Sequence, residues 1–347
     1  MKLPKKFFTR MVSFAVRKFL YPFKTNYRGP LVFTPNVIFA QFVFLLSYWL
    51  DLKLLRTRWV VKPLETSNLT PTTRGDLVEM AIGDVNIKGR SLSTSRIVLR
   101  SNNNSYGIAV KWKLNSGLNS RAGFINLGED PRIFVFRGEL WFYYQIAIQG
   151  TGDCQLYIFN PEQNLTLQLR TEKNFSGKNW VPFEFRGELH FVYSYVPFIL
   201  YRAKVVPHEG VRFIDLEIVD TRLFTMEAMN LEWRDNFGFG AIRGGSSLIE
   251  IEPGIFAGFT HVNKGGEFEK SHQIGYLEID FSLKTVKHRE ITKQKMNLLT
   301  APYGINLIEN TKICLSYNSS VGSVSNQFQP ITNRSSTFLL SDLRFEV

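Results

Sequence analysis

The pentapeptide Phe-Arg-Gly-Glu-Leu occurs twice in this chain, at 136–140 and again at 185–189. Around each copy an apolar run meets Arg-Gly and resumes as a second apolar run, as in RIFVFRGELWFYYQI and VPFEFRGELHFVYSY. That is the pattern of a tight β-hairpin in which Gly takes the positive-φ position. Two blurred copies follow, SLIEIEPGIFAGFTHV turning near Gly254 and GINLIENTKICLSYN turning near Thr311, and DVNIKGRSLSTSRIVLR precedes them as the weakest. A four-stranded unit that recurs every fifty to sixty residues is the signature of a β-propeller blade, which cannot bury both faces until neighbours stack on it. From about Gly75 to Val347 there is room for five blades. The competing reading, unrelated hairpins of a β-sandwich that share a turn, leaves the common hydrophobic pattern unexplained.

Composition agrees with strands. The chain holds 30 Phe and 14% aromatic residues, with Gly, Asn and Ser clustered between short apolar runs. The expected fold is therefore all-β, a five-bladed propeller over 61–347, preceded by an N-terminal helical, membrane-associating segment over 1–60.

The matched hairpins point to a site. Counting eight residues back from each turn gives Asp130, Asn179, Ser246 and Tyr303. All are polar-capable residues that enter otherwise apolar hairpins. Equivalent positions on the innermost strands of a propeller converge on its axis, so this set is expected to form one polar pocket at one end of the channel.

The net charge of +12 would suggest a polyanion partner if it were spread over a face. Instead, Lys2, Lys5, Lys6, Arg10, Arg17, Lys18, Lys24 and Arg28 put eight positive charges into the first twenty-eight residues. With that excess set aside, and with no nucleic-acid motif, nucleic-acid binding loses its argument. Phe7, Phe8, Met11, Phe14, Ala15, Phe19 and Leu20 recur at helical spacing among those charges, the pattern of a basic amphipathic helix in a membrane interface. A charge-free stretch from Gly29 to Leu50 follows. It is long enough to be read as a type II span, or as a peripheral helix.

Other chemistry is unsupported. Cys154 and Cys314 form no CxxC motif, the five His residues show neither HExxH nor a zinc ligand set, and GFGAIRGG lacks the spacing of a dinucleotide fingerprint. No metal or cofactor is implied.

Around the matched positions stand GEDPR (128–132), KNWVPF (178–183), RGGSS (243–247), His261 in THV, and APYG (301–304). In this order the motifs resemble the five-bladed β-propeller family of β-mannoside phosphorylases and hydrolases, together with the related β-1,2-mannosyltransferases. The similarity runs over roughly 91–347, most specifically in GEDPR and its hairpin. The resemblance implies that Asp130 is the general acid, a role that suits a carboxyl able to exchange a proton at a glycosidic oxygen. It also implies phosphate recognition by Lys178 beside Asn179. The phosphorylases carry a further Arg before the Pro that closes the second hairpin, where this chain has Val196 before Pro197. That departure favours transfer from an activated sugar over phosphorolysis.

The expected substrate contacts are Glu129, Arg132, Lys178, Asn179, Trp180, Arg243, Ser246, His261 and Tyr303. Because neighbouring strand residues face opposite ways, only one of Glu129 and Asp130 is expected in the pocket, and Arg132 is also a candidate ion-pair partner for Glu129. Arg243, beside Gly244 and Gly245, is a candidate anion contact or a blade-edge residue. Trp180 is read as a sugar-stacking ring or a core residue, and His261 as a ligand contact or a packed residue. The expected activity is that of an inverting glycosyltransferase moving a mannose-like sugar from an activated donor to a glycan or lipid-linked acceptor. The alternatives are a phosphorylase or hydrolase of the same fold and a non-catalytic carbohydrate-binding propeller.

Overall fold

The computed structural model describes residues 59–69, 77–101, 104–117, 119–148, 153–171, 179–195, 197–228, 242–264, 271–292, 298–321 and 331–345. The amphipathic and apolar segment expected over 1–60 lies outside the described residues except for its last two. Trp59 packs edge-on against Tyr317 and Phe338 and bridges Thr292, so it belongs to the β-structure and not to a separate segment. Among the described residues no helix is long and apolar enough to cross a membrane.

The chain is all-β. A first short strand, β1 (Glu65–Leu69), is followed by four strands β2 (Leu77–Ile87), β3 (Arg90–Ser101), β4 (Asn104–Ser116) and β5 (Asn119–Asn126). The second meander holds β6 (Gly128–Phe136), β7 (Glu139–Ala147), β8 (Cys154–Asn160) and β9 (Leu165–Thr171). The third holds β10 (Val181–Phe185), β11 (Glu188–Tyr195), β12 (Phe198–Ala203) and β13 (Phe213–Val219). After β14 (Thr225–Ala228) the fourth begins with two pieces, β15 (Ile242–Gly244) and β16 (Ile249–Glu252), which both pair with β17 (Ile255–Lys264). It continues through β18 (Ser271–Asp280) and β19 (Thr285–Glu290). The fifth comprises β20 (Leu298–Ile308), β21 (Lys312–Val321) and β22 (Ile331–Leu339), and β1 pairs antiparallel with β22 to complete it. The one helix among the described residues, α1, is the turn Leu340–Leu343.

Burial explains why the innermost strands read as continuous apolar runs while the outer ones alternate. β6 is buried along most of its length because neighbouring meanders cover both faces, whereas β5 is largely exposed. Successive meanders meet through four apolar clusters. Val110, Trp112 and Leu114 pack on Ile133 and Phe142 at the first seam; Phe134 and Tyr143 pack with Trp180 and Phe191 at the second. Val181 and Val192 pack with Phe256 and Leu277 at the third, and Phe259 and Tyr276 with Ile305 and Phe338 at the fourth. The seam between the fifth and first meanders is polar instead. The Asn306 amide accepts from Asn86 N (3.1 Å) and donates to the Asp84 carbonyl (2.6 Å), while Asn333 donates to the Glu79 carbonyl (3.1 Å). The five meanders thus contact one another in cyclic order, a propeller-like ring.

The repeated turn is a product of this geometry. Arg137 and Gly138 (φ +51° and +75°), Arg186 and Gly187 (+53° and +75°), and Lys88 and Gly89 (+47° and +76°) give two consecutive positive-φ residues, the hairpin turn that matches strand twist. The fifth hairpin uses a three-residue loop between Ile308 and Lys312, with Glu309 and Asn310 at positive φ.

Candidate functional site

Each position matched by sequence register lies where an innermost strand breaks. In β6 the pairing jumps from Glu129 opposite Gln145 to Arg132 opposite Tyr143, so Asp130 and Pro131 form a bulge. Asp130 sits at φ +49°, a conformation Asp tolerates better than most residues, and Pro131 occupies a place where the interrupted ladder needs no N–H. Asn179 has φ +79° just before β10, and Ser246 lies in the gap between β15 and β16. Tyr303 is the extra residue where β20 pairing jumps from Pro302 to Gly304. The weakest copy obeys the same rule: eight residues before Gly89, Ala81 (φ +57°) stands in the irregularity of β2.

The bulge overturns the expectation that the two acids face opposite ways. Both carboxylates meet one guanidinium, that of Arg96 on β3, at 2.6 Å from Glu129 and 3.3 Å from Asp130. The other Asp130 oxygen accepts from the Gln145 amide at 3.3 Å, and Gln145 in turn accepts from the Tyr143 hydroxyl at 3.2 Å. Glu129 is therefore paired with Arg96 and not with Arg132. Arg96, Gln145 and Tyr143 had no signal in the sequence beyond being polar groups within strands.

Arg132 is 1% exposed and reaches across the ring. It donates to the Gly245 carbonyl at 2.5 Å, to Asn179 Oδ1 at 3.0 Å and to the Gly244 carbonyl at 3.4 Å, which ties the second meander to the third and fourth. Its Nη1 is buried without a hydrogen-bond partner among the described residues. A guanidinium donor left unpaired in a secluded site attracts an oxygen ligand, most strongly an anionic one.

Gly244 and Gly245 serve these contacts more than a ligand. A Cβ on Gly244 would stand 2.1 Å from the Asn179 carbonyl, and one on Gly245 would stand 2.3 Å from Pro302 Cγ. The glycines let neighbouring meanders close on the axis.

His261, 8% exposed, pairs in register with Arg243 on β15. Burial, then the nearby His272, Arg132 and Arg243 charges, hold its imidazole well below the usual histidine range, and a hydrogen bond to the Gly244 backbone opposes them only in part. The ring is neutral at pH 7. Its Nδ1 is buried without a hydrogen-bond partner among the described residues. With the other nitrogen donating to Gly244, Nδ1 is an acceptor suited to a hydroxyl. Tyr303 is buried and feels the charges of Asp130, Arg96 and Arg132. Burial raises its phenol far above the ordinary range, so it acts as a neutral donor or acceptor. Tyr195 is likewise buried beside Arg132.

The fold thus brings Glu129, Asp130, Arg132, Asn179, Arg243, His261 and Tyr303 to the strand-break end of the axis. Two expectations are corrected. Trp180 is wholly buried among Phe191, Tyr193 and Tyr201, a core ring with no face for a sugar. The Ser246 hydroxyl donates to the Ser247 carbonyl and accepts from Phe259 N, so it satisfies the broken backbone. Lys178 and Val196 lie outside the described residues.

No family model and no curated protein matches the chain. Solved structures do. A mannose phosphorylase from Leishmania mexicana, in complex with phosphate ion, is similar over 88% of this chain and 98% of its own, with a TM-score of 0.50 and 12% identity. A GDP-Man-dependent mannosyltransferase from the same organism matches over 85% of this chain and 94% of its own, with a TM-score of 0.48 and 14% identity. At 12% identity the likeness to the phosphorylase is one of fold, and it agrees with the fold implied by GEDPR and its hairpin.

Proposed function

We propose that this chain is a five-bladed propeller glycosyltransferase that moves a mannose-like sugar from an activated, phosphate-bearing donor to a hydroxyl of a glycan or lipid-linked acceptor. The observation that carries the reading is a carboxylate on a bulge, Asp130, beside a buried guanidinium whose Nη1 is unspent, Arg132. In the proposed step the acceptor oxygen bonds to the anomeric carbon, the bond to the donor phosphate breaks with its electron pair leaving on phosphate, and the acceptor proton passes to Asp130. Arg132 and Arg243 face the leaving charge, while His261 Nδ1 and Tyr303 meet sugar hydroxyls. The proposed course is a single displacement, inverting, that uses one carboxylate as base, with Glu129 held by Arg96 at 2.6 Å as its neighbour.

Phosphorolysis of a β-mannoside is the second reading, favoured by the same oxygen-seeking groups and by the fold shared with a phosphorylase solved with phosphate. Val196, in place of the Arg expected of phosphorylases, ranks it second. Incubating the full chain with sugar nucleotides, sugar 1-phosphates and β-mannosides separates the two. Turnover that needs a nucleotide sugar supports transfer, and turnover that needs inorganic phosphate replaces it with phosphorolysis. The basic, apolar N-terminus over 1–60 is part of the proposal as a membrane attachment, type II or peripheral. Deleting Met1 to Leu50 should release the protein from membranes in a fractionation experiment, and a truncated protein that still pellets removes that assignment.

A further inference from the structure

A cavity of about 990 Å³ opens at the opposite end of the innermost strands, where the hairpins turn. Its lining includes Ile133 to Val135, three to five residues beyond Asp130 on β6, or roughly 10–17 Å along an extended strand. The buried side chains of Arg132 and Ser246 lie between the two ends on their strands. The cavity is a separate place, at the upper end of the roughly 300–1,000 Å³ range of small-molecule sites.

The turn arginines show why it is a site and not a packing gap. At the first two seams of the ring, an arginine from one turn latches onto the next. Arg90 donates to the Gly138 carbonyl and to Glu162, and Arg137 donates to the Gly187 carbonyl at 3.2 Å while its backbone N–H meets Glu184. Arg186 stands at the equivalent of Arg137, one turn further on. Its guanidinium lies 5.0 Å from the centroid of its own Phe185 ring and makes no hydrogen bond among the described residues. The latch ends there, and the cavity begins. Glu184 and Glu250 also line it, each with one carboxylate oxygen bound to a backbone N–H, of Arg137 and Gly254 respectively, and the other without a hydrogen bond among the described residues.

We infer that this turn-end cavity is a second binding site, for a neutral polyhydroxylated ligand such as an oligosaccharide, and that Arg186, Glu184 and Glu250 hold its hydroxyls. Two carboxylates against one guanidinium disfavour an anion, and the guanidinium disfavours a simple cation. A hydroxyl uses both kinds of group, donating to a carboxylate and accepting from Arg186. Phe256, Ile249 and Leu307 supply the apolar lining that the faces of a sugar ring need. The inference stands apart from the reading of the Asp130 end.

Mannotriose titrated calorimetrically into the full chain, with no donor present, tests it. Arg243→Ala weakens whatever binds at the strand-break end. The component that survives this change should weaken about ten-fold or more when Arg186→Ala and Glu250→Gln are added, since each removes a charge-assisted contact. Both residues lie at the surface of the turn region, and the thermal midpoint of the variant checks that it is folded. If all mannotriose binding vanishes with Arg243→Ala alone, or the added changes leave the surviving component untouched, the inference is overturned. Competition for that component by inorganic phosphate overturns the ligand class. Turnover of the Arg186→Ala, Glu250→Gln protein with the sugar donor reports separately on the Asp130 end.

Discussion

The two ends of the ring axis are built by opposite means. At the turn end, hairpins close on themselves, four of the five with two positive-φ residues and the fourth with Gly254 alone, and the Glu184 and Glu250 carboxylates accept from neighbouring backbone N–H groups. At the strand-break end the innermost strands break or begin, three meanders are drawn onto one buried arginine, and three buried nitrogens, Arg96 Nε, Arg132 Nη1 and His261 Nδ1, have no hydrogen-bond partner among the described residues. Regular structure at the turn end satisfies its backbone and leaves only the side chains Arg186, Glu184 and Glu250 for a ligand to meet. Broken strands leave polar groups aimed inward, and such violations of local rules mark where chemistry is expected.

The largest test of that contrast is Asp130→Asn. It keeps the size of the side chain and the oxygen facing Arg96 but cannot exchange a proton, so single-turnover rate should fall by about 10²–10⁴-fold with little change in thermal midpoint. A variant with the unmodified rate would leave the strand-break end without its proton-transferring group and dissolve the contrast.

Next in size is Arg132→Leu. It strands the carbonyls of Gly244 and Gly245 and the Asn179 amide in a buried place, at a cost on the order of 3 kcal/mol in urea unfolding. Gly244→Ala should destabilise through the same meeting of meanders, because its Cβ would collide with the Asn179 carbonyl.

Acid should also act unevenly. His261 at the strand-break end and His288, pushed down to about 3 by burial, stay neutral in the folded chain. Below the unfolded value of 6.5 the unfolded chain binds protons that the folded one refuses. Stability is therefore fullest above pH 6.5 and falls as the pH drops, by roughly 2 kcal/mol at pH 5 for His288, and in the same direction for His261. Replacing either with Gln should flatten the thermal midpoint against pH between 7 and 5, and an unchanged slope would contradict the neutral assignment. The smallest effect belongs to the turns: Arg137→Ala should cost under about 1 kcal/mol, as exposed contacts do, and Arg186→Ala nothing measurable, because its guanidinium latches no neighbour.

Much of this was legible from the repeats. The turn phrase marks the hairpins, counting back from it reaches Asp130 and Asn179, and the same count from Thr311 in a blurred copy reaches Tyr303. The same count failed to say what the residues do there. Alternation predicted that Glu129 and Asp130 point apart, and a bulge defeats alternation because it adds a residue to one strand only. Arg96 was invisible for a different reason. It lies in the weakest repeat, thirty-four residues before Asp130, and reaches the acids only because the first meander packs on the second. Trp180 shows the converse, an aromatic whose type suits a sugar but whose strand position places it inside a seam.

The fifth meander takes its outer strand from β1 and its other three from β20 to β22. During translation, the segment Glu65–Leu69 leaves the ribosome long before Ile331–Leu339, its sheet neighbour, so the first four meanders can form while β1 waits for β22. Through that wait β1 is an unpaired strand, and its sequence Glu-Thr-Ser-Asn-Leu is one that resists pairing with other nascent chains, being charged or polar at four of five positions. A stop codon ahead of Ile331 would therefore remove more than one strand: it would leave β1 without its sheet partner and take away Asn333, whose amide helps fasten the fifth meander to the first.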